Sequence, residues 1–202
     1  MVNSIADLDR ELAELIAEAR RSLVRVTNRR RGAGAGTIWH AAGLILTNAH
    51  VAVDGPVDIT LADGRTYPGR LQAMDTRLDL AVLTIEADDL PEIALGSSKS
   101  LKAGELVVAL GHPWGVEGAA TAGVVIGVGS SLGEAPTDGR ELIAVSLHLR
   151  PGHSGGALID ASGRLVGLNT MMAGPDVGLA IPVDVVKRFV GQALSNPQAR
   201  AA

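Results

Sequence analysis

Cysteine is missing from this 202-residue chain, so no disulfide staples the fold and nothing follows about its redox compartment. Aromatic side chains are almost missing as well. One Phe, one Tyr and two Trp leave a core to be assembled from Val, Leu, Ile and Ala. No stretch has the length and apolarity of a bilayer-spanning helix. Asp7, Asp9, Glu11, Glu14 and Glu18 interrupt the first twenty residues, which excludes a signal-peptide core there. Cytoplasmic residence is therefore the default expectation, with an extracytoplasmic one only if a leader has been removed. No long basic face is evident at a formal net charge of −4. The one concentrated positive patch, Arg29, Arg30 and Arg31, reads as a solvated loop, so nucleic acid is disfavoured as a partner. The histidines come without a Cys or a His-Glu-x-x-His helix. A metal set made from His112, His148 and His153 is a weak reading, and neither metal nor cofactor is expected.

What is present is apolar and rich in glycine. At 47% apolar residues the chain is not a disordered one. Its length suffices to bury a core in one domain or in two apposed halves. The 25 glycines follow no Gly-X-Y period, which suggests tight turns between short strands. From Ser4 to about Leu23, Ile5, Leu8, Leu12, Leu15, Ile16 and Ala19 recur at helical spacing, with Ser4 and Asp7 as a capping pair. That face must cover the domain itself or a neighbouring subunit. The period then changes to two. Val24 and Val26 begin a strand, Arg29 to Gly36 reads as a Gly-rich turn, and five more stretches up to Ile85 read as strands around turns such as Asp63-Gly64. A polar stretch over 96–104 is the natural linker. A second strand series runs from Leu106 to Ala180, with Gly129 to Arg140 as a mobile surface loop. Helical spacing returns from Val183, after Pro182. No strand is followed by an adequate helix, so a doubly wound parallel sheet is excluded. The expected division is an N-terminal helix over 1–21, strand groups over 22–95 and 105–182, a helix over 183–194 and a tail over 195–202.

Three segments carry chemistry. His50 ends a strand in Thr47-Asn48-Ala49-His50-Val51. Asp79 stands directly before an apolar strand in Leu78-Asp79-Leu80-Ala81-Val82. Ser154 is enclosed by glycines in Gly152-His153-Ser154-Gly155-Gly156. A serine hydroxyl needs a base to become a nucleophile, and an imidazole titrates near the working pH. A buried acid would fix its tautomer. Backbone N–H groups of Gly152 and Ser154, freed by the missing side chains around them, would hold a developing oxyanion. The Met171-Met172 pair reads as pocket or core packing.

These segments, in this order, resemble the HtrA/Deg-like family of trypsin-like serine proteases. The resemblance includes Gly34-Ala35-Gly36-Thr37, Leu61-Ala62-Asp63-Gly64-Arg65, Gly111-His112-Pro113-Trp114-Gly115, Gly163-Arg164-Leu165-Val166-Gly167-Leu168-Asn169-Thr170 and Gly178-Leu179-Ala180-Ile181-Pro182. It spans roughly residues 22 to 190. It implies an all-β fold of two six-stranded barrels with helices at the ends, His50 and Asp79 in the first barrel and Ser154 in the second. It also implies a serine endopeptidase acting on extended or unfolded polypeptides through an acyl-enzyme, with Gly152 and Ser154 as oxyanion donors. Substrate backbone would pair with the strand at Leu168, Asn169 and Thr170, and a homo-oligomer, as a trimer, is a reasonable expectation. The chain departs from the family at several points. His153 replaces the usual Asn before the nucleophile, and the approach Val145-Ser146-Leu147-His148-Leu149-Arg150 differs from the family's. No PDZ domain follows, as in a short form or a piece of a longer protein. His148 is expected at the floor of the first specificity pocket, without a neighbouring carboxylate, shortening it in favour of Ala, Val or Thr. The competing reading is a catalytically silent protease-like domain that binds peptide or protein.

Overall fold

Alternating apolar residues, rather than propensity alone, decide the architecture: each barrel strand sends one face inward and is too short to stand by itself. The computed structural model describes residues 5–28, 30, 32–53, 55–132 and 139–195. The expected Ser4 cap, the side chain of Ile5, Arg29 and Arg31 of the basic patch, residues 133–138 of the expected loop and the tail from 196 lie outside them. Twelve strands form two closed antiparallel barrels. The first contains β1 (Leu23–Asn28), β2 (Gly32–His40), β3 (Leu44–Thr47), β4 (Val57–Thr60), β5 (Thr66–Asp75) and β6 (Leu80–Thr84). The second contains β7 (Leu106–Gly111), β8 (Ala119–Val128), β9 (Ile143–Ser146), β10 (Ala157–Asp160), β11 (Leu165–Met172) and β12 (Val177–Pro182). Around the first the order is β1-β2-β3-β6-β5-β4, and around the second β7-β8-β9-β12-β11-β10, the same path repeated.

The stretch expected as a turn up to Gly36 is strand from Gly32 onward. Gly34 and Gly36 are there for close packing and not for turning. A Cβ on Gly34 would come 2.9 Å from the Val51 methyls, and one on Gly36 would come 2.9 Å from a Val24 methyl.

Each barrel has its own apolar interior, around Ile38, Ile45, Ile59 and Leu83 in the first and Val107, Ile143, Val145 and Leu158 in the second. Two further clusters cross between the barrels. One joins Leu46, Leu80 and Val82 to Leu168, Leu179 and Ile181 under the C-terminal helix, numbered α3 below. The other joins Ala35 to Val108, Leu110, Ile159 and Leu165. The helices are α1 (Ile5–Arg20), a single turn α2 (Ala49–Ala52) and α3 (Val183–Ser195). Helix α1 folds back on its own chain. Leu12, Ile16 and Ala19 pack on the second inter-barrel cluster, whereas Leu8 stays half exposed. Among the described residues, no helix is long and apolar enough to cross a membrane.

Candidate active site

His50 and Asp79 reach each other because two neighbouring strands of the first barrel end side by side. Strands β3 and β6 pair Thr47 with Ala81, and the chain leaves β3 through Asn48 into the one-turn α2. The buried Asn48 side-chain amide donates to the Asp79 carbonyl at 3.0 Å, tying the start of α2 to the residue that precedes β6. Asp79 has φ 58, in the left-handed region. His50 then meets the carboxylate twice. Its backbone N–H donates to Oδ1 at 3.1 Å, and its Nδ1 lies 3.0 Å from Oδ1 and 2.9 Å from Oδ2. A third donor comes from the other barrel: the Thr170 hydroxyl on β11 donates to Asp79 Oδ2 at 2.7 Å. Asp79 is only 7% exposed. Burial opposes its ionisation, but the hydrogen bonds from His50 and Thr170, with the nearby imidazole charge, outweigh burial and hold its carboxyl below the ordinary value. An acid fixed in this way keeps Nδ1 as the protonated ring nitrogen and leaves Nε2 to accept a proton.

Ser154 sits on the second barrel in a turn that only glycine neighbours permit. Gly155 has φ 83, and a Cβ there would overlap the Ala35 carbonyl and the Thr47 hydroxyl of the first barrel. Because it carries none, the turn docks against β2: Ala35 N–H donates to the Ser154 carbonyl at 2.8 Å, and the Thr37 hydroxyl to the Gly155 carbonyl at 3.2 Å. Ser154 Oγ donates to the Thr170 carbonyl at 3.0 Å. No hydrogen bond joins it to His50, although both residues border one cleft of about 160 Å³ together with Gly34, Pro151 and Gly152. Gly152 has φ 104 and packs backbone to backbone against His112 and Pro113. Among the described residues, neither the Gly152 N–H nor the Ser154 N–H has an acceptor. Two unengaged donors at the candidate nucleophile are what an oxyanion needs.

On the other side of Ser154 lies a cavity of about 320 Å³, lined by Leu149, Thr170, Met171 and Met172 with Arg150 and His153. Leu149 N–H donates to the Met172 sulfur at 3.1 Å. His153 is buried, with Nδ1 3.1 Å from both the Arg150 N–H and the Arg150 carbonyl. Burial pushes its imidazole below the ordinary value, and the Arg150 carbonyl pulls only partly against this. Arg150 in turn lies 4.6 Å above the ring centroid of the exposed Trp114.

Two expectations need correction. His148 does not line the cavity. It is exposed, and its Nδ1 lies 2.9 Å from Asp176 Oδ1, so a carboxylate does face it. Leu147 and Leu149 on either side are the buried ones, because side chains alternate across an extended chain. Nor can Leu168 and Asn169 receive substrate backbone. Leu168 is already paired with Ala157 of β10, and the Asn169 N–H and carbonyl are taken by Gly156 and Gly155. The Asn169 side chain holds the carbonyls of Leu110 and Ala157. Beyond that point β10 ends, and among the described residues no strand pairs with this edge of β11 from Thr170 to Met172. The sequence reading missed Leu149 as a lining residue and Thr170 as a partner of Asp79. The apolar alternation of Leu147 and Leu149 would have found the first; no local signal announces the second. Among the described residues, no group of His, Cys, Asp or Glu is placed to hold a metal ion.

A sequence family described as a trypsin-like peptidase domain matches residues 34–168. The mitochondrial serine protease HTRA2 of Drosophila willistoni is 38% identical over 165 residues, 79% of this chain and 38% of that protein. The same protein of Drosophila ananassae is 37% identical over 174 residues, 84% of this chain and 41% of that protein. The chain thus spans about two fifths of the length of the curated relatives it matches. Among solved structures, the HtrA-type protease AlgW with a tripeptide aligns at TM-score 0.83 and 30% identity, over 90% of this chain and 62% of that one. The serine endoprotease from Yersinia pestis aligns at TM-score 0.82 and 28% identity, over 92% and 67%.

Proposed function

We propose, from the premise that this chain belongs to the family of trypsin-like peptidase domains, with HtrA-type serine proteases as its relatives, that it cleaves extended polypeptides through an acyl-enzyme on Ser154. The observation that carries this reading is the continuous arrangement of His50, Asp79, Thr170 and Ser154, assembled from both barrels. In the proposed reaction His50 Nε2 takes the Ser154 proton as Oγ attacks the substrate carbonyl, and later delivers it to the leaving amine. Asp79 stabilises the imidazolium formed on the way. The Gly152 and Ser154 N–H groups bind the oxyanion, which is commonly the largest single contribution to such catalysis. Substrate backbone adds to the open edge of β11 from Thr170 to Met172. A substrate N–H that takes the Thr170 carbonyl displaces the Ser154 hydroxyl from it and frees Oγ to turn toward His50.

The residue before the cut bond enters the cavity beside Leu149 and Met172, which suits an aliphatic side chain. Among the described residues no carboxylate lines that cavity, so a Lys or Arg there has no counter-charge. The hydrogen bond from Ser154 to Thr170, in place of one to His50, favours a second reading in which the domain binds peptide without cutting it. A fluorophosphonate probe separates the two. Covalent labelling of Ser154, absent in Ser154→Ala, is the expected result; a folded wild-type chain that resists labelling supports the silent binding domain. A fluorogenic peptide panel on the unlabelled enzyme should rank Val, Leu and Ala above Lys and Arg before the cut bond. A preference for Lys or Arg would overturn the pocket assignment.

A further inference from the structure

A third cavity, of about 200 Å³, shares no lining residue with the two beside Ser154. Three parts of the fold meet around it: the end of α1, the β1 and β4 edge of the first barrel, and the 112–118 turn of the second. Its apolar walls are Leu23, Leu61 and Ala62, and its cations are Arg20 and Arg25. Arg20 stands in the last turn of α1 and lies across Gly118, where a Cβ would come 3.4 Å from its Cδ and Nε.

Neither guanidinium has an acceptor among the described residues, and Arg25 Nε is buried without any partner. The surroundings explain why. Strand pairing sets Arg25 opposite Thr60, whose hydroxyl is engaged with that of Thr66 at 3.0 Å. Glu117 borders the same cavity yet pairs with neither arginine. A guanidinium N–H taken from water with no acceptor is costly to the folded chain, and an anion drawn into the cavity as the Arg25 side chain shifts toward it removes that cost.

The shape and charge of the cavity narrow the choice of anion. A guanidinium presents parallel N–H donors that match the two oxygens of a carboxylate. Three aliphatic walls suit a short hydrocarbon body next to that carboxylate. Glu117 at the border disfavours a dianion such as phosphate, and the volume is below that of ordinary drug-sized sites. The geometry points to a binding site for a small aliphatic monocarboxylate, about the size of an N-acylated leucine, held by Arg25 and Arg20. This inference is independent of the proposed peptidase activity. The cavity touches the candidate active site through one residue, since the His112 N–H donates to the Gly152 carbonyl at 2.8 Å.

Backbone-amide NMR of the full chain, titrated with N-acetyl-leucine, N-acetyl-leucine amide and inorganic phosphate in separate arms, tests the assignment. The expected result is saturable shifts at Leu23, Ala62 and Gly118 with N-acetyl-leucine, at a dissociation constant of ~1 mM or tighter. The amide and phosphate should bind at least ~10-fold more weakly. Arg25→Met should abolish the shifts. Arg20→Gln, at an exposed helix end that tolerates substitution, should weaken binding several-fold even if the Arg25 variant is poorly folded. Absence of saturation, phosphate binding as tight as the carboxylate, or shifts confined to Leu149 and Met172 and unchanged in Arg20→Gln would each overturn the proposal.

Discussion

Asp79 is held by donors from both barrels. The Asn48 amide takes its carbonyl, the His50 N–H and ring take its carboxylate, and Thr170 adds a donor from across the molecule. Asp79→Asn should fold as the parent does, since the amide is isosteric, but it offers an N–H where an acceptor is needed. The imidazole then settles in the wrong tautomer, and kcat should fall by about 10⁴-fold, the scale of the same change in trypsin; peptide hydrolysis by the purified variant checks this. Near-normal hydrolysis would mean that another acid serves His50. His50, Asp79 and Ser154 could be read from the sequence because each stands in a short segment whose composition is peculiar to its task. The Thr170 bond to Asp79 could not, because it spans 91 positions and depends on how two barrels dock. His148 was misplaced for a simpler reason: its face of the chain is set by the alternation of Leu147 and Leu149, not by its distance from Ser154.

At the level of elements, period and turn chemistry located most of the strands, and glycine misled where it serves packing. The segment around Gly34 and Gly36 reads as a loop by composition, yet it is strand lying under Val24 and Val51. Helix α1 was legible as an amphipathic helix, but not which surface receives it. In the structure that surface is the cluster shared by the barrels, covered by Leu12, Ile16 and Ala19. A chain starting at Arg21 should therefore lose roughly 2–4 kcal/mol of stability, by the usual yield of apolar area removed from water. Urea unfolding followed by circular dichroism measures it. An unchanged midpoint would show that α1 contributes nothing to its own subunit.

The whole molecule repeats one strand path twice, a symmetry that no recurring motif in the sequence discloses, because closure constrains hydrogen bonding and inward volume rather than residue identity. Its stability should depend on pH through two histidines. Burial lowers the imidazole pKa of both His112 and His153, so the unfolded chain binds protons more readily than the folded one. Stability should accordingly fall as pH drops below the ordinary histidine value of about 6.5. His153→Asn should flatten that slope in urea titrations between pH 5 and 8, and an unaltered slope would clear His153 of the effect. Asp79 acts in the same direction in a lower range: its lowered pKa stabilises the fold above the ordinary carboxylate value, and that contribution is lost as pH falls through its own. The hydrogen bond from Thr170 to Asp79 has one more consequence. Its donor and acceptor belong to different barrels, so it works as an alignment gauge across a seam. A slip of an ångström or so between the barrels would break it while leaving every strand pairing intact. The proposed catalytic competence is thus tied to the mutual seating of two shells, and a chain that kept its whole secondary structure would still lose it.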